Sequence, residues 1–102
     1  MSVLLNFAIF PTDKGDSVSP YVTRVIQKLR SMGFPSQLTA MGTIVETDSL
    51  GQALSVINEA YSVLEKDCQR VYVTANLDIR KGSSNRMVGK VKSVEEKIGK
   101  TK

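Results

Sequence analysis

The stretch that most limits what this chain can become is RVYVTANLDIRKG, Arg70 to Gly82. Val71, Val73, Ala75, Leu77 and Ile79 alternate there with Tyr72, Thr74, Asn76, Asp78 and Arg80. Side chains on a strand project to opposite faces with a period of two, so the stretch predicts a strand with one dry face and one polar face. A strand with bulk water on one side ordinarily carries Lys, Glu or Thr there. This one offers an aromatic ring, a hydroxyl, an amide, a carboxylate and a guanidinium in succession, a row suited to a subunit interface or to a ligand.

A chain of 102 residues predicts one domain, residues 1–102, with a single two-layer core. No run of 18 or more apolar residues occurs, so no membrane partner is expected. MSVLLNFAIFP lacks a basic leader and is interrupted by Asn6, and so reads as a strand rather than a signal peptide. The one cysteine, Cys68, leaves no internal disulfide and fits a reducing cytoplasm.

With no His and a lone Cys, neither a zinc site nor a His-based triad can be built; no metal, no cofactor and no catalytic residues are expected. Acid–base work would fall to Glu46, Asp78 or a lysine, and no Gly-rich phosphate loop follows a strand. Cys68, beside Asp67, reads as a structural thiol rather than a nucleophile. The expectation is therefore a protein that binds rather than an enzyme.

The net charge of +4 is unevenly spread. From Arg80 onward there are eight basic residues against Glu95 and Glu96, while the first 79 residues carry six basic and eight acidic. A basic end segment can meet phosphate or another subunit, but its lysines are interleaved with core-type residues, as on a solvated helix face. Nucleic acid is not expected as a partner. RNA-binding sheets stack bases on aromatics of their central strands, and here the third strand has none while Phe10 ends the first.

In chain order, Ser2 to Pro11 is apolar on both alternating faces, which predicts a central strand covered on both sides, closed by Pro11. Thr12 to Ser19 is turn chemistry. Ser19-Pro20 predicts an N-cap and first turn for a helix with Tyr21, Val22, Val25, Ile26, Leu29 and Met32 on one stripe, stopped by Gly33. Ser36 to Asp48 predicts two short strands around a turn or bulge at Gly42, with Ile44 and Val45 on opposite faces and Glu46 beside Ile44. Asp48-Ser49 caps a second helix, Leu50 to about Asp67, whose apolar stripe is wide enough to touch more than one neighbour. The alternating strand follows, then a loop at Gly82 to Asn85 and a last helix carrying Met87, Val91, Val94 and Ile98.

The order β-α-β-β-α-β with right-handed crossovers predicts an α+β, ferredoxin-like fold with a C-terminal helix and an antiparallel sheet in the order 4-1-3-2. Both long helices are expected on one face, over Val3, Leu5, Phe7 and Ile9 and over Val71, Val73, Ala75, Leu77 and Ile79. The other face then displays Leu4, Asn6, Ala8, Phe10, Ile44, Glu46, Tyr72, Thr74, Asn76, Asp78 and Arg80. Leaving its large apolar members wet would forgo roughly 1.5–3 kcal/mol each. Self-association through that face or through the free edge is therefore expected.

Several of these residues resemble a known family. They are a first strand ending in Pro11, a loop with Ser17 and Ser19 leading to Tyr21-Val22, the segment Met41 to Glu46 (MGTIVE), and Arg70 to Arg80. The chain is similar to the small thiamine-binding-like proteins, related to the YkoF-type thiamine/hydroxymethylpyrimidine-binding domain, over Val3 to about Ile98. Pro20 and the charged residues Asp13, Lys14 and Asp16 depart from the pattern.

The resemblance implies dimers or tetramers that bind thiamine or its pyrimidine moiety without catalysis. An aminopyrimidine needs an acceptor for its amino group and a donor for its ring nitrogen. Glu46 or Asp78 would accept, and Asn6, Thr43, Thr74 or Asn76 would donate. Tyr72 or Phe10 would face a thiazolium cation. Each has a structural alternative: Glu46 paired with Arg80 or a neighbouring chain's Lys, Asp78 paired with Arg80 or Lys81, Thr43 serving the turn, and Asn6 bonded to Asn76 across adjacent strands.

Overall fold

A computed structural model of the chain describes residues 1–82, 86–88 and 94. Its elements run β1 (Ser2–Pro11), α1 (Ser19–Met32), β2 (Ser36–Thr39), β3 (Gly42–Thr47), α2 (Leu50–Ser62) and β4 (Val71–Arg80). The strands form one antiparallel sheet in the order β2-β3-β1-β4, the expected order read from its other edge. Residues 86–88 and 94 are helical; Val91 and Ile98 of the expected last helix, and 83–85 of the loop before it, lie outside the described residues.

β1 is the axis because it is apolar on both faces and is paired on both sides. Val3, Leu5, Phe7 and Ile9 point under the helices and join Val25 and Leu29 of α1, Val45 of β3, and Ala53, Val56 and Ala60 of α2 in one buried core. Val45 is the member of its pair that turns inward, while Ile44 is half-buried on the open face.

α1 starts one residue earlier than expected. Val18 is its N-cap and makes no side-chain cap bond, so Ser19 is the first helical residue rather than the cap. At α2 the sequence signal holds, because the Ser49 hydroxyl accepts from the Gln52 N–H at 3.1 Å. The Gln52 side chain reaches back to the Asp48 N–H at 2.9 Å, a reciprocal arrangement close to a capping box.

α2 ends at Ser62, short of Asp67. Tight turns follow, in which the N–H groups of Leu64 and Glu65 both bond the Tyr61 carbonyl and that of Cys68 bonds Leu64. They turn Leu64 and Cys68 into the core, which a continued helix would not have done.

α1 and α2 do not cover β4. Val73, Leu77 and Ile79 share the face of Ile9, Leu5 and Val3 through the β1–β4 register, yet they are 39%, 40% and 48% exposed. The expected cover over Val73, Ala75, Leu77 and Ile79 fails because α1 and α2 pack over β1 and β3, leaving the edge strand beyond their reach. α2 is likewise covered on one side only: Leu50, Leu54 and Tyr61 remain exposed.

Leu5→Ala removes a fully buried side chain between two helices and is expected to cost about 2–5 kcal/mol by urea denaturation. Ser49→Ala, which leaves the Gln52 N–H without its cap, is expected to cost about 1 kcal/mol.

Candidate functional site

A cleft at one end of the sheet arises from a difference in strand length. β1 has ten residues and β3 has six, and their register stops at Phe7↔Thr43. Beyond it the chain has already turned back through Ala40 and Met41. Gly42 permits this turn to lie against β1, since a Cβ there would sit 2.7 Å from the Phe7 carbonyl oxygen. The last residues of β1 therefore border a cleft of about 320 Å³ between the β2–β3 turn and α1. Phe7, Ile9, Val22, Val25 and Ile26 make its apolar walls, and Leu38 to Thr43 make its outer side. None of its lining side chains is charged; Thr39 and Thr43 bring hydroxyls.

Main-chain direction along β1 follows from the same pairing. The Thr12 N–H donates to the Arg70 carbonyl, so even-numbered positions address the β4 side. Backbone polar groups alternate sides along a strand, so odd-numbered positions address β3, in keeping with the Phe7 carbonyl beside Gly42. Ile9 is the next odd position, and no β3 residue stands opposite it.

The expected ligand residues fall into three groups. Asn6, Asn76 and Asp78 come together on the open face, around a shallow hollow of about 320 Å³ floored by Leu4 and Ile44. Thr74 is one register step further along, opposite Ala8 and next to the tilted Phe10–Tyr72 ring pair, whose centroids are 5.7 Å apart. Asn6 and Asn76 stand directly opposite each other, but among the described residues no side-chain bond joins them. Thr43 departs from this group: it lies opposite Phe7 on the helix-covered face and lines the cleft.

Glu46 forms the third group. It is 8% exposed and takes the Ser2 hydroxyl at 2.7 Å, the Arg86 N–H at 2.9 Å and the Met87 N–H at 3.1 Å. It thus serves the N–H groups of two helical residues. The Arg86 guanidinium, 5% exposed, bonds the Ser2 hydroxyl at 3.1 Å and the Ser2 carbonyl at 2.8 Å, and also the Asp78 carbonyl. It pairs with the Asp78 carboxylate at 3.0 Å. Asp78 thus pairs with Arg86, while Glu46 accepts from the Ser2 hydroxyl and from the Arg86 and Met87 N–H groups.

Burial pushes the Glu46 carboxyl up, but the Ser2 hydroxyl, the Met87 and Arg86 N–H groups and the Arg86 charge outweigh it and hold it below the usual carboxylate range. Burial, with Asp67 second, pushes the Cys68 thiol up, as a structural thiol requires. Among the described residues no group of three or more His, Cys, Asp or Glu side chains could hold a metal ion. None of the described helices is long and apolar enough to cross a membrane.

Sequence reasoning missed Ile9, Val22 and Ile26 as lining residues. The signal was present in the unequal lengths of the two strands and in Gly42. It also missed Arg86, for which one charge in a distant segment gives no local signal.

The profile of the thiamine-binding protein family matches residues 5–95. The chain belongs to that family. It is 34% identical over 95 residues to a UPF0045 protein of Mycobacterium bovis, covering 93% of each chain. The crystal structure of a Methanocaldococcus jannaschii protein is similar with a TM-score of 0.82 at 34% identity, over 93% of this chain and 97% of that one. A Thermotoga maritima protein, described provisionally as one of thiamine biosynthesis or salvage, shares the fold with a TM-score of 0.73 at 19% identity, over 96% of each chain. The family's profile spans β1 to β4, and so takes in both the cleft and the hollow.

Because the Glu46 value is lowered on folding, its contribution is present above the unfolded value, about 4.3 for Glu, and is lost as pH falls through the folded one. Amide exchange at Arg86 and Met87 is expected to be slow at neutral pH and to lose its protection, relative to the β1 amides, in acid. Glu46→Ala should abolish that protection at neutral pH and cost about 1–3 kcal/mol, since it leaves the Ser2 hydroxyl and the Arg86 and Met87 N–H groups without their acceptor.

Proposed function

We propose that this chain binds thiamine or its hydroxymethylpyrimidine moiety in the cleft between β1, α1 and the β2–β3 turn. It acts as a cytoplasmic carrier, buffer or sensor and not as an enzyme. The observation that carries this reading is the cleft itself. It is concave and mostly apolar, it holds a few hydroxyls, and its outer side is built from Met41 to Thr43, within the stretch that most resembles the family. The hollow over Leu4 is the weaker seat, because the Asp78 carboxylate on its rim already pairs with Arg86.

Self-association as a dimer or tetramer belongs to the same proposal. β4 is a ten-residue edge strand with no further strand beside it among the described residues, and Val73, Leu77 and Ile79 are exposed next to that edge. Such an edge favours pairing with a second copy, which would also bury the row the helices leave bare.

Calorimetry with thiamine and with hydroxymethylpyrimidine is expected to give saturable heat. Val22→Trp, which fills the cleft, should abolish it, while Asn76→Ala should leave the affinity within about threefold. Loss of binding in Asn76→Ala but not in Val22→Trp would move the ligand to the open face. Absence of heat from both compounds at millimolar concentration, on ligand-free protein, would leave the assembly alone. In sedimentation, Leu77→Lys is expected to shift the wild-type oligomer to a smaller species.

A further inference from the structure

The cleft has an unusual supply of polar groups. No charged side chain lines it, and the threonines bring little. Thr39 already donates its hydroxyl to the Gly42 carbonyl at 2.9 Å and accepts from the Met41 N–H at 3.2 Å. The remaining source is the main chain of β1. Its even positions, through Phe10↔Tyr72, are taken up by β4. Ile9 belongs to the other series and lines the cleft, two residues past the last β3 partner. Its side chain is packed in the core, so its main chain meets solvent only through the cleft. Buried main-chain N–H and C=O groups in native proteins are nearly always paired. Here the partner has to come from whatever fills the cleft.

We propose that the main-chain N–H and C=O of Ile9 read the amino edge of a 4-aminopyrimidine, so that the cleft selects a donor–acceptor pattern rather than a charge. The inference rests on the cleft being the ligand site. In an extended strand the N–H and C=O of one residue point the same way, side by side. A 4-aminopyrimidine presents the complementary pair along one edge, a ring nitrogen that accepts and an amino group that donates. The ring plane would be held between the apolar side chains of α1 and the β2–β3 turn, and the Thr43 hydroxyl is left for a ring substituent.

Size and charge point the same way. At about 320 Å³ the cleft is at the lower end of the range for small-molecule pockets, roughly 300–1,000 Å³, and suits one substituted ring. A thiazolium inside would bring a cation to a lining without a counter-charge. Thiamine would therefore enter pyrimidine first, with its cationic ring at the mouth. The free pyrimidine should bind within about tenfold of thiamine, because most of the contact is made by that ring.

The test compares 4-amino-5-hydroxymethyl-2-methylpyrimidine with its 4-oxo counterpart, which has nearly the same shape. The oxo group turns the edge donor into an acceptor and protonates the ring nitrogen, so both bonds to Ile9 become repulsive in the same pose, and turning the ring over to restore them would exchange the places of the methyl and hydroxymethyl groups. Binding of the 4-oxo compound is expected to be weaker by on the order of 100-fold. In the ¹⁵N-labelled protein, the Ile9 amide should move downfield and exchange more slowly with the amino compound and not with the oxo compound. Ile9→Val, which keeps the main chain, should preserve the discrimination.

Equal binding of the two compounds, or an Ile9 amide unmoved by a bound aminopyrimidine, overturns the edge-reading while leaving the cleft as the ligand site. If neither compound binds and the resonances of Val22, Ile26 and Thr43 stay in place, the edge-reading and the proposed site fall together.

Discussion

The structure depends on one strand being longer than its neighbour. β1 is held by β4 along its whole length and by β3 along only part of it. Where both neighbours are present the strand is sealed, and Val3 and Leu5 are fully buried under the helices. Where β3 has turned away, the same strand presents a main-chain edge to a cleft. The turn can lie there only because residue 42 lacks a Cβ, which would otherwise meet the Phe7 carbonyl oxygen at 2.7 Å. Fold and candidate site thus share one cause. The sheet is closed far enough to build a core and left open far enough to admit a small ring.

A second constraint acts at the opposite end of β1. Ser2, Glu46 and Arg86, all buried, and the exposed Asp78 come from four places in the sequence and form one polar cluster. A buried carboxylate is tolerated because it accepts three hydrogen bonds, and a buried guanidinium because it is shared among Ser2 and Asp78. The cluster binds the chain after β4 to the open side of the sheet. It also occupies the Glu46 carboxylate with three hydrogen bonds and engages Asp78, two groups whose residue types alone recommended them for recognition. A carboxylate on an open sheet face and a carboxylate waiting for an arginine are indistinguishable until the arginine is placed.

The fold was legible because its signals are periodic and local. Apolarity on both faces marked β1, alternation marked β4, the Asp48-Ser49 pair marked the start of α2, and Gly33 and Gly42 marked reversals that the backbone carries out. The candidate site was legible only in part. Thr43 was picked out as a donor and does line the cleft, but Asn6, Asn76 and Asp78 gather on the other face and Thr74 stands a step beyond them. The reason is physical. Polar side chains advertise themselves in a sequence, whereas a main-chain donor and acceptor are present at nearly every residue and become informative only when a neighbour fails to take them.

By itself, then, the chain's sequence determined the order of strands and helices, the two-sided apolarity that makes β1 central, and the absence of histidine that removes imidazole chemistry. These follow from side-chain type and spacing, which act within a few residues. Tertiary structure alone decided that β4 would lie beyond α1 and α2, that Arg86 would meet Glu46 and Asp78, and that Ile9 would have no β3 residue opposite it. Those outcomes depend on how far each element reaches once packed, a property of distances between segments remote in the chain and not of any one segment.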